Sequence, residues 1–203
     1  MTSTTPRYVA AWATSPFAHV DLAPWQIVQQ AEELIRAAIA ELESEYVICD
    51  EFAVHESSII EQGVVLKGPG IVGPRCLIAS GSYLRGGIYL GEGCIIGPSS
   101  ELKTSFMFSG SKLAHLNFVG DSIMGSGVNV EAGAIIANYR NELEDKTIRI
   151  FHEGETIETG VVKFGSLVGD NARIGANAIV APGALIAPGY KVGRLQLLDQ
   201  YPY

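Results

Sequence analysis

Lys67, Arg85 and Lys103 stand 18 residues apart, and each follows a leucine (Leu66, Leu84, Leu102). In a chain that coils with an 18-residue period they stack in one column, with neighbouring backbones ~4.8 Å apart. Like charges so placed repel one another. A bound phosphate would neutralise them, because Arg and Lys hold phosphate through charge-assisted contacts. The alternative is a solvated basic ridge paired with nearby carboxylates. Four histidines are present, His19, His55, His115 and His152. Only His115 falls on a turn leading to that column, where a neutral imidazole would serve as a general base at pH 7. The four histidines lack the spacing of a ligand set, and no metal is expected. Cys76 and Cys94, also 18 apart, occupy small inward positions of the repeat and read as a core ladder ending in Ser111, not as catalytic thiols. The glycine-rich stretches 63–73 and 81–93 open no helix and lack a G-K-[ST] ending, so they read as turns rather than nucleotide loops.

The element that must position these residues is a six-residue repeat. Aliphatic residues or methionine recur at Ile48, Val54, Ile60, Leu66, Val72, Ile78, Leu84, Leu90, Ile96 and Leu102. After a five-residue step come Met107, Leu113 and Val119, and after another Met124, Val130 and Ile136. The register resumes at Val168, Ile174, Val180, Ile186 and Val192. Glycine or alanine often follows the anchor, and a small residue often stands four places after it. Short strands with tight corners require that pattern, and three hexads close one triangular coil of a parallel β-helix. Two segments escape the period. Residues 24–44 space Ile27, Ala31, Leu34, Ile35, Ala38, Ile39 and Leu42 as one helical face, started by Pro24 and expected to cap the open first coil. Residues 137–167 begin with a charged loop and continue as alternating runs 147–152 and 155–159, expected as a protruding hairpin that turns near Glu153-Gly154. The expected organisation is an N-terminal extension with its helix (1–47), the β-helix (48–197) interrupted at 137–167, and a short tail (198–203).

The 203 residues carry 14 basic and 22 acidic side chains, a net charge of −8. That balance argues against a nucleic-acid partner. No apolar run approaches the ~20 residues of a membrane span. Three cysteines without zinc-like clustering, and no secretory leader in the first 20 residues, fit a cytoplasmic protein.

The stretch 101–139, ELKTSFMFSGSKLAHLNFVGDSIMGSGVNVEAGAIIANY, closely resembles the acetyltransferase domain of the bifunctional N-acetylglucosamine-1-phosphate uridyltransferase/glucosamine-1-phosphate acetyltransferases. The resemblance runs back to Leu84-Arg85 without gaps and loosely over the whole β-helix. The phrase HLNFVGDSIMG and the hairpin insertion look most like the archaeal-type sugar-phosphate nucleotidyltransferases with a trailing acetyltransferase β-helix. The resemblance implies an all-β solenoid, a left-handed parallel β-helix of hexapeptide repeats, with His115 as the general base. It implies Arg85, Lys103, Phe118 and Asn129 as sugar-phosphate ligands, and Ala132, Asn138, Tyr139 and Ala176 as contacts to acetyl-CoA, the expected co-substrate. It also implies a homotrimer with sites in clefts between subunits. Phe118 stands where the family usually has tyrosine, Glu131 where it has the glycine of N-x-GAG, and Glu144 where the bacterial enzymes have lysine. The segment before residue 48 is too short for a nucleotidyltransferase domain, so nucleotidyl transfer is not expected. The expected function is acetyl-CoA-dependent N-acetylation of an amino-sugar phosphate or sugar nucleotide. A non-catalytic sugar-phosphate-binding β-helix, or acyl transfer to a different acceptor, are the alternatives.

Overall fold

The computed structural model describes residues 4–42 and 44–203. Its core is a parallel β-solenoid whose coils contribute short strands to three flanks. The first flank is a seven-stranded stack: Ile59–Ile60, Leu77–Ile78, Ile95–Ile96, Lys112–Leu113, Asn129–Val130, Arg173–Ile174 and Lys191–Val192. The second runs from Val65–Lys67 through the first parts of Tyr83–Leu90 and Glu101–Met107 to Phe118–Gly120, Ile135–Ile136, Ile179–Val180 and Leu197–Leu198. The third starts at Phe52–His55 and Gly70–Val72 and takes the second parts of the same two long strands. It ends with Ile123–Met124, Ser166–Val168 and Ala184–Ile186.

The hexad anchors form one continuous interior: every one from Val72 to Val192 is buried. Val54, Ile60 and Leu66 are only partly covered in the first coil, which has a neighbour on one side alone. Ile48 departs from the expected register. It is 56% exposed because Tyr46–Cys49 runs antiparallel to Phe52–His55 instead of joining a coil. The five-residue steps have a local cause at the corner between second and third flanks. Arg85 pairs with Lys103 and Ile88 with Ser105, so Gly86 and Gly87 on one rung face Thr104 alone on the next. Thr104 and Asp121 take up the left-handed conformation there, with φ of 47° and 45°.

The N-terminal segment corrects one expectation. The predicted single helix is two, Pro24–Gln29 and Ala31–Ala40, broken at Gln30, and Thr5–Tyr8 with a 3₁₀ turn at Ala10–Thr14 precedes them. They do not cap the first coil; they lie along the third flank. The outward residues of that flank are apolar on every rung (Ala53, Ile71, Tyr89, Phe106, Ile123, Leu167, Leu185), and Val9, Trp12, Phe17, Ile27, Val28, Ala31 and Ile35 bury against this second core. Trp12 and Phe17 meet Phe106 with ring centroids 6.0 and 5.0 Å apart. Gly87 admits the helix: a Cβ there would come within 2.9 Å of the Ala31 Cβ and the Glu32 nitrogen.

The insertion leaves the solenoid after Ile135–Ile136 and returns at Ser166–Val168, at the corner that carries Lys67, Arg85 and Lys103 on earlier rungs. Its hairpin pairs Arg149–His152 with Glu155–Glu158. It does not protrude freely, because Ile148 and Ile150 are buried within the second core. Arg140, 1% exposed, ties the insertion to the C-terminal tail through Asp199 at 2.6 Å and the Pro182 carbonyl at 2.9 Å, under the Tyr201 ring. Among the described residues, no helix is long and apolar enough to cross a membrane.

Candidate active site

The second flank carries candidate groups along both edges and on its outward face. At its leading corner, coil stacking aligns His115, Ala132 and Ala176. The Gly133 amide donates to the His115 carbonyl at 2.9 Å, and the Asn177 amide to the Ala132 carbonyl at 3.0 Å. His115 is exposed. Three residues on from that corner, Tyr83, Glu101 and Phe118 share a register column. Another two residues along, ~7 Å further at strand rise, comes the column Lys67, Arg85, Lys103, Gly120.

The charges of that column are answered inside the chain. Arg85 pairs with Glu101 at 2.6 Å, and Lys103 donates to both Asp121 oxygens at 2.8 Å. Lys67 lies over the Tyr83 ring, 5.2 Å from its centroid. Carboxylates thus supply the neutralisation that a phosphate would otherwise provide, which is the alternative the sequence allowed. Asp121 also accepts a hydrogen bond from the Asn138 amide, so Lys103, Asp121 and Asn138 form one bonded group at the trailing corner. Gly120 makes the arrangement possible: a Cβ there would lie 2.7 Å from Asn138 Nδ2 and 2.9 Å from Phe118 Cζ. Phe118 and Asn138 therefore lean over the same bare backbone.

Asn129 stands apart, on the first flank in register with Lys112 and Arg173. It lines a cavity of about 440 Å³ with Glu131, Arg173, Lys191 and Arg194. Tyr139 is exposed, with the Lys146 ammonium 5.7 Å from its ring centroid. The structure therefore gathers His115, Ala132 and Ala176 at one corner and Arg85, Lys103 and Asn138 at the other, with Phe118 between them.

Glu131 is neither loose nor unpaired. Its carboxylate accepts hydrogen bonds from Arg194 Nε at 2.7 Å and from the Ala176 amide at 2.8 Å. Arg194 and that amide hold its carboxyl at a pKa of about 2. Ala176, expected as a contact to acetyl-CoA, thus has its amide already engaged, and an acyl-CoA that used this amide would have to displace the carboxylate.

Sequence reasoning missed Asp121 and Arg194. Asp121 stands one place past Gly120, the register partner of Lys103 across a shortened coil, so the column's spacing does not point to it. Arg194 lies 63 residues from Glu131 across the insertion, and no spacing rule connects them. A further cavity, about 510 Å³, opens beyond the trailing corner against Gly86, Thr104 and Asp121. The N-terminal helices wall it with Gln29, Gln30 and Glu33, and the insertion with Lys163.

Residues 69–104 match the family model described as bacterial transferase hexapeptide (six repeats). A bifunctional sugar-1-phosphate nucleotidylyltransferase/acetyltransferase of Sulfurisphaera tokodaii is 33% identical over 155 residues, 74% of this chain and 38% of that protein. The bifunctional protein GlmU of Methanococcus maripaludis is 28% identical over 156 residues, 74% of this chain and 37% of that protein. The chain thus spans well under half the length of these curated relatives. The solved structure of a hexapeptide transferase family protein from Anaplasma phagocytophilum covers 74% of this chain and 80% of its own, with 17% identity and a TM-score of 0.42. The six-residue period and the stacked parallel coils agree with that match to the hexapeptide-repeat model over residues 69–104.

Proposed function

We propose that the protein is an acyl-CoA-dependent N-acyltransferase, acetyl-CoA being the preferred donor, that acts on an amino sugar bearing a phosphate. One observation carries the reading: a single flank bears an exposed imidazole at one edge and the Arg85/Lys103 column toward the other. A sugar phosphate laid along that flank has its amine toward His115 and its phosphate at Arg85 and Lys103, where it must displace the Glu101 and Asp121 carboxylates that pair them. Phe118 supplies an apolar surface for the ring between them. His115 takes a proton from the amine as nitrogen attacks the thioester carbonyl; the carbon–sulfur bond then breaks and the leaving thiolate is protonated. Ala132 and Ala176 lie along the same corner as His115, where an extended acyl-CoA arm can follow the coil stack. Asn138, the other expected donor contact beside Tyr139, is bonded to Asp121 at the opposite corner and stands outside this path within one chain.

The second flank also supports a homotrimer. Its outward column is largely apolar and uncovered, with Val65 48%, Ile135 39%, Ile179 46% and Leu197 62% exposed. A second reading, a non-catalytic sugar-phosphate-binding solenoid, has one observation in its favour, the occupation of the Ala176 amide by Glu131. The test that separates them mixes purified protein with acetyl-CoA and a panel of amino-sugar phosphates and follows free thiol. Turnover that falls ~10²–10⁴-fold in a folded His115→Ala variant supports the enzyme. Absence of turnover and of CoA binding in calorimetry would promote the non-catalytic reading.

A further inference from the structure

Glu45, His55 and Ser57 meet at the start of the solenoid, and none of them belongs to the site on the second flank. Local structure explains each placement. Tyr46–Cys49 runs antiparallel to Phe52–His55 with Tyr46 opposite His55, and the Glu56 amide donates to the Glu45 carbonyl at 3.0 Å. That pairing brings the Glu45 carboxylate to the imidazole, with Oε2 3.5 Å from Nε2. The Tyr46 ring meets the imidazole edge-on, centroids 5.1 Å apart, and only 13% of the His55 side chain is exposed. On the other nitrogen, Ser57 Oγ lies 2.9 Å from Nδ1, inside a tight turn that the Ser58 amide closes on the His55 carbonyl. The Ser57 amide also donates to Nδ1, at 3.1 Å. A ring nitrogen that accepts an amide proton carries none of its own, so Nδ1 is the basic nitrogen and Nε2 holds the proton toward Glu45. Among the described residues, no other imidazole is bonded to a serine hydroxyl.

We propose that Ser57, His55 and Glu45 form a second catalytic centre that hydrolyses carboxylic esters of apolar acyl groups. Nucleophile, base and orienting carboxylate stand in the order such chemistry needs, and Ser57 is exposed to an incoming ester. Ser57 Oγ attacks the ester carbonyl carbon while its proton passes to His55 Nδ1, and Glu45 faces the imidazolium so formed. Protonation of Nδ1 frees the Ser57 amide, which turns to the oxyanion as charge develops there. The Arg75 amide, now donating to Ser57 Oγ at 3.0 Å, is the second donor at that point. The carbon–oxygen bond to the alcohol breaks, and the alcohol leaves with the proton from Nδ1. Water, deprotonated by the same nitrogen, then cleaves the Ser57 ester, releasing the carboxylic acid and restoring the hydroxyl. A neighbouring cavity of about 320 Å³ selects the acyl group. Val47, Val54, Ile60 and Leu66 line it together with His55 and Ser58, and its size is at the low end of the ~300–1,000 Å³ of small-molecule sites. This centre is independent of the acyltransferase reading, since it uses neither His115 nor the Arg85/Lys103 column.

The test treats the full-length chain with a fluorophosphonate, which phosphonylates activated serines, and locates the adduct by peptide mass spectrometry. Hydrolysis of p-nitrophenyl acetate, butyrate and octanoate is followed in parallel. The adduct is expected on Ser57, and the longer acyl esters are expected to turn over faster than acetate. Ser57→Ala should abolish both labelling and hydrolysis, and His55→Gln should lower hydrolysis ~10²–10⁴-fold, the usual worth of a general base. Glu45→Gln should slow it several-fold while leaving the serine in place. Labelling is read on the unaltered protein, so it decides the matter even where a variant unfolds. An unlabelled Ser57, or ester hydrolysis as fast in folded Ser57→Ala as in the parent, overturns the proposal. So does hydrolysis that survives Ser57→Ala and disappears in His115→Ala, which would place it on the second flank.

Discussion

Replacing Lys103 with methionine sets two opposite effects against each other. The three-cation column predicts relief, because like charges one rung apart in water repel by about 1 kcal/mol at ~4–5 Å. The structure predicts a larger loss. Asp121 Oδ1 lies 2.8 Å from Lys103 Nζ, and the two side chains are only 7% and 17% exposed. Methionine keeps the aliphatic stem but removes the charge, leaving a nearly buried carboxylate with the Asn138 amide as its remaining side-chain donor. Stripping one partner from a fully buried pair costs ~3–5 kcal/mol; with Asn138 still bound and the corner open to a cavity, about 2–3 kcal/mol is expected. The relief is smaller than its bare value because Arg85 already has Glu101 at 2.6 Å. Destabilisation should therefore win, lowering the melting temperature by roughly 5–8 °C for a domain of this size. Asp121→Asn should cost only about 1 kcal/mol, since a freed lysine can swing into water, and the double variant should show a coupling of about 1–2 kcal/mol. The assay is thermal and urea unfolding of the four proteins of this cycle. A Lys103→Met protein as stable as the parent, or more stable, would show that column repulsion outweighs the ion pair and refute the reasoning.

The remaining expectations concern three other contacts. The Glu131 carboxyl, held at about 2, should stay ionised in carbon-detected NMR until the pH falls toward that value, and Arg194→Ala should move its titration up toward 4.5. Because its folded pKa is depressed, the stability it contributes is complete above the unfolded carboxylate range and is lost as pH falls from there through about 2; a flat unfolding free energy over that window, relative to Glu131→Gln, would contradict this. Gly120→Ala should displace Phe118 and Asn138, both movable side chains, and so raise KM for both substrates with little change in melting temperature. Asp199→Ala should leave Arg140, 1% exposed, without its principal partner and cost about 3–5 kcal/mol, seen as proteolysis of the C-terminal tail and insertion under conditions where the parent resists.

The six-residue period made the solenoid legible because each anchor must enter the same interior, and one misplaced polar residue would leave an unsatisfied group there. The column of Lys67, Arg85 and Lys103 was legible for the same reason: a fixed coil length turns spacing into position. Its neutralisation was not legible: Asp121 follows Gly120, the register partner of Lys103, and Glu101 reaches Arg85 from the neighbouring column. The anchors alone carry no sign of where the N-terminal helices lie. The residue before each anchor on the third flank, from Ala53 to Leu185, is apolar and announces a covered face. Gln29, Gln30 and Lys163 had no such signal. They meet only because separate segments converge on one corner, and local spacing carries no information about that.

The strap along the third flank has a consequence for how the molecule is made. An isolated stack of repeats can nucleate anywhere and grow rung by rung, since each coil touches only its neighbours. Here the first residues bind nearly the last coils: the Asp170 amide donates to the Tyr8 carbonyl at 2.9 Å, and the Ala10 amide to the Asp170 carboxylate at 3.0 Å. A nascent chain therefore presents Trp12 and Phe17 long before Phe106 and Asp170 exist, and these aromatic residues must wait exposed until most of the solenoid has been synthesised. That delay favours capture by chaperones and pairing with the unfinished flank of another chain. Once closed, the strap joins early and late coils and resists the fraying from either end to which repeat stacks are prone.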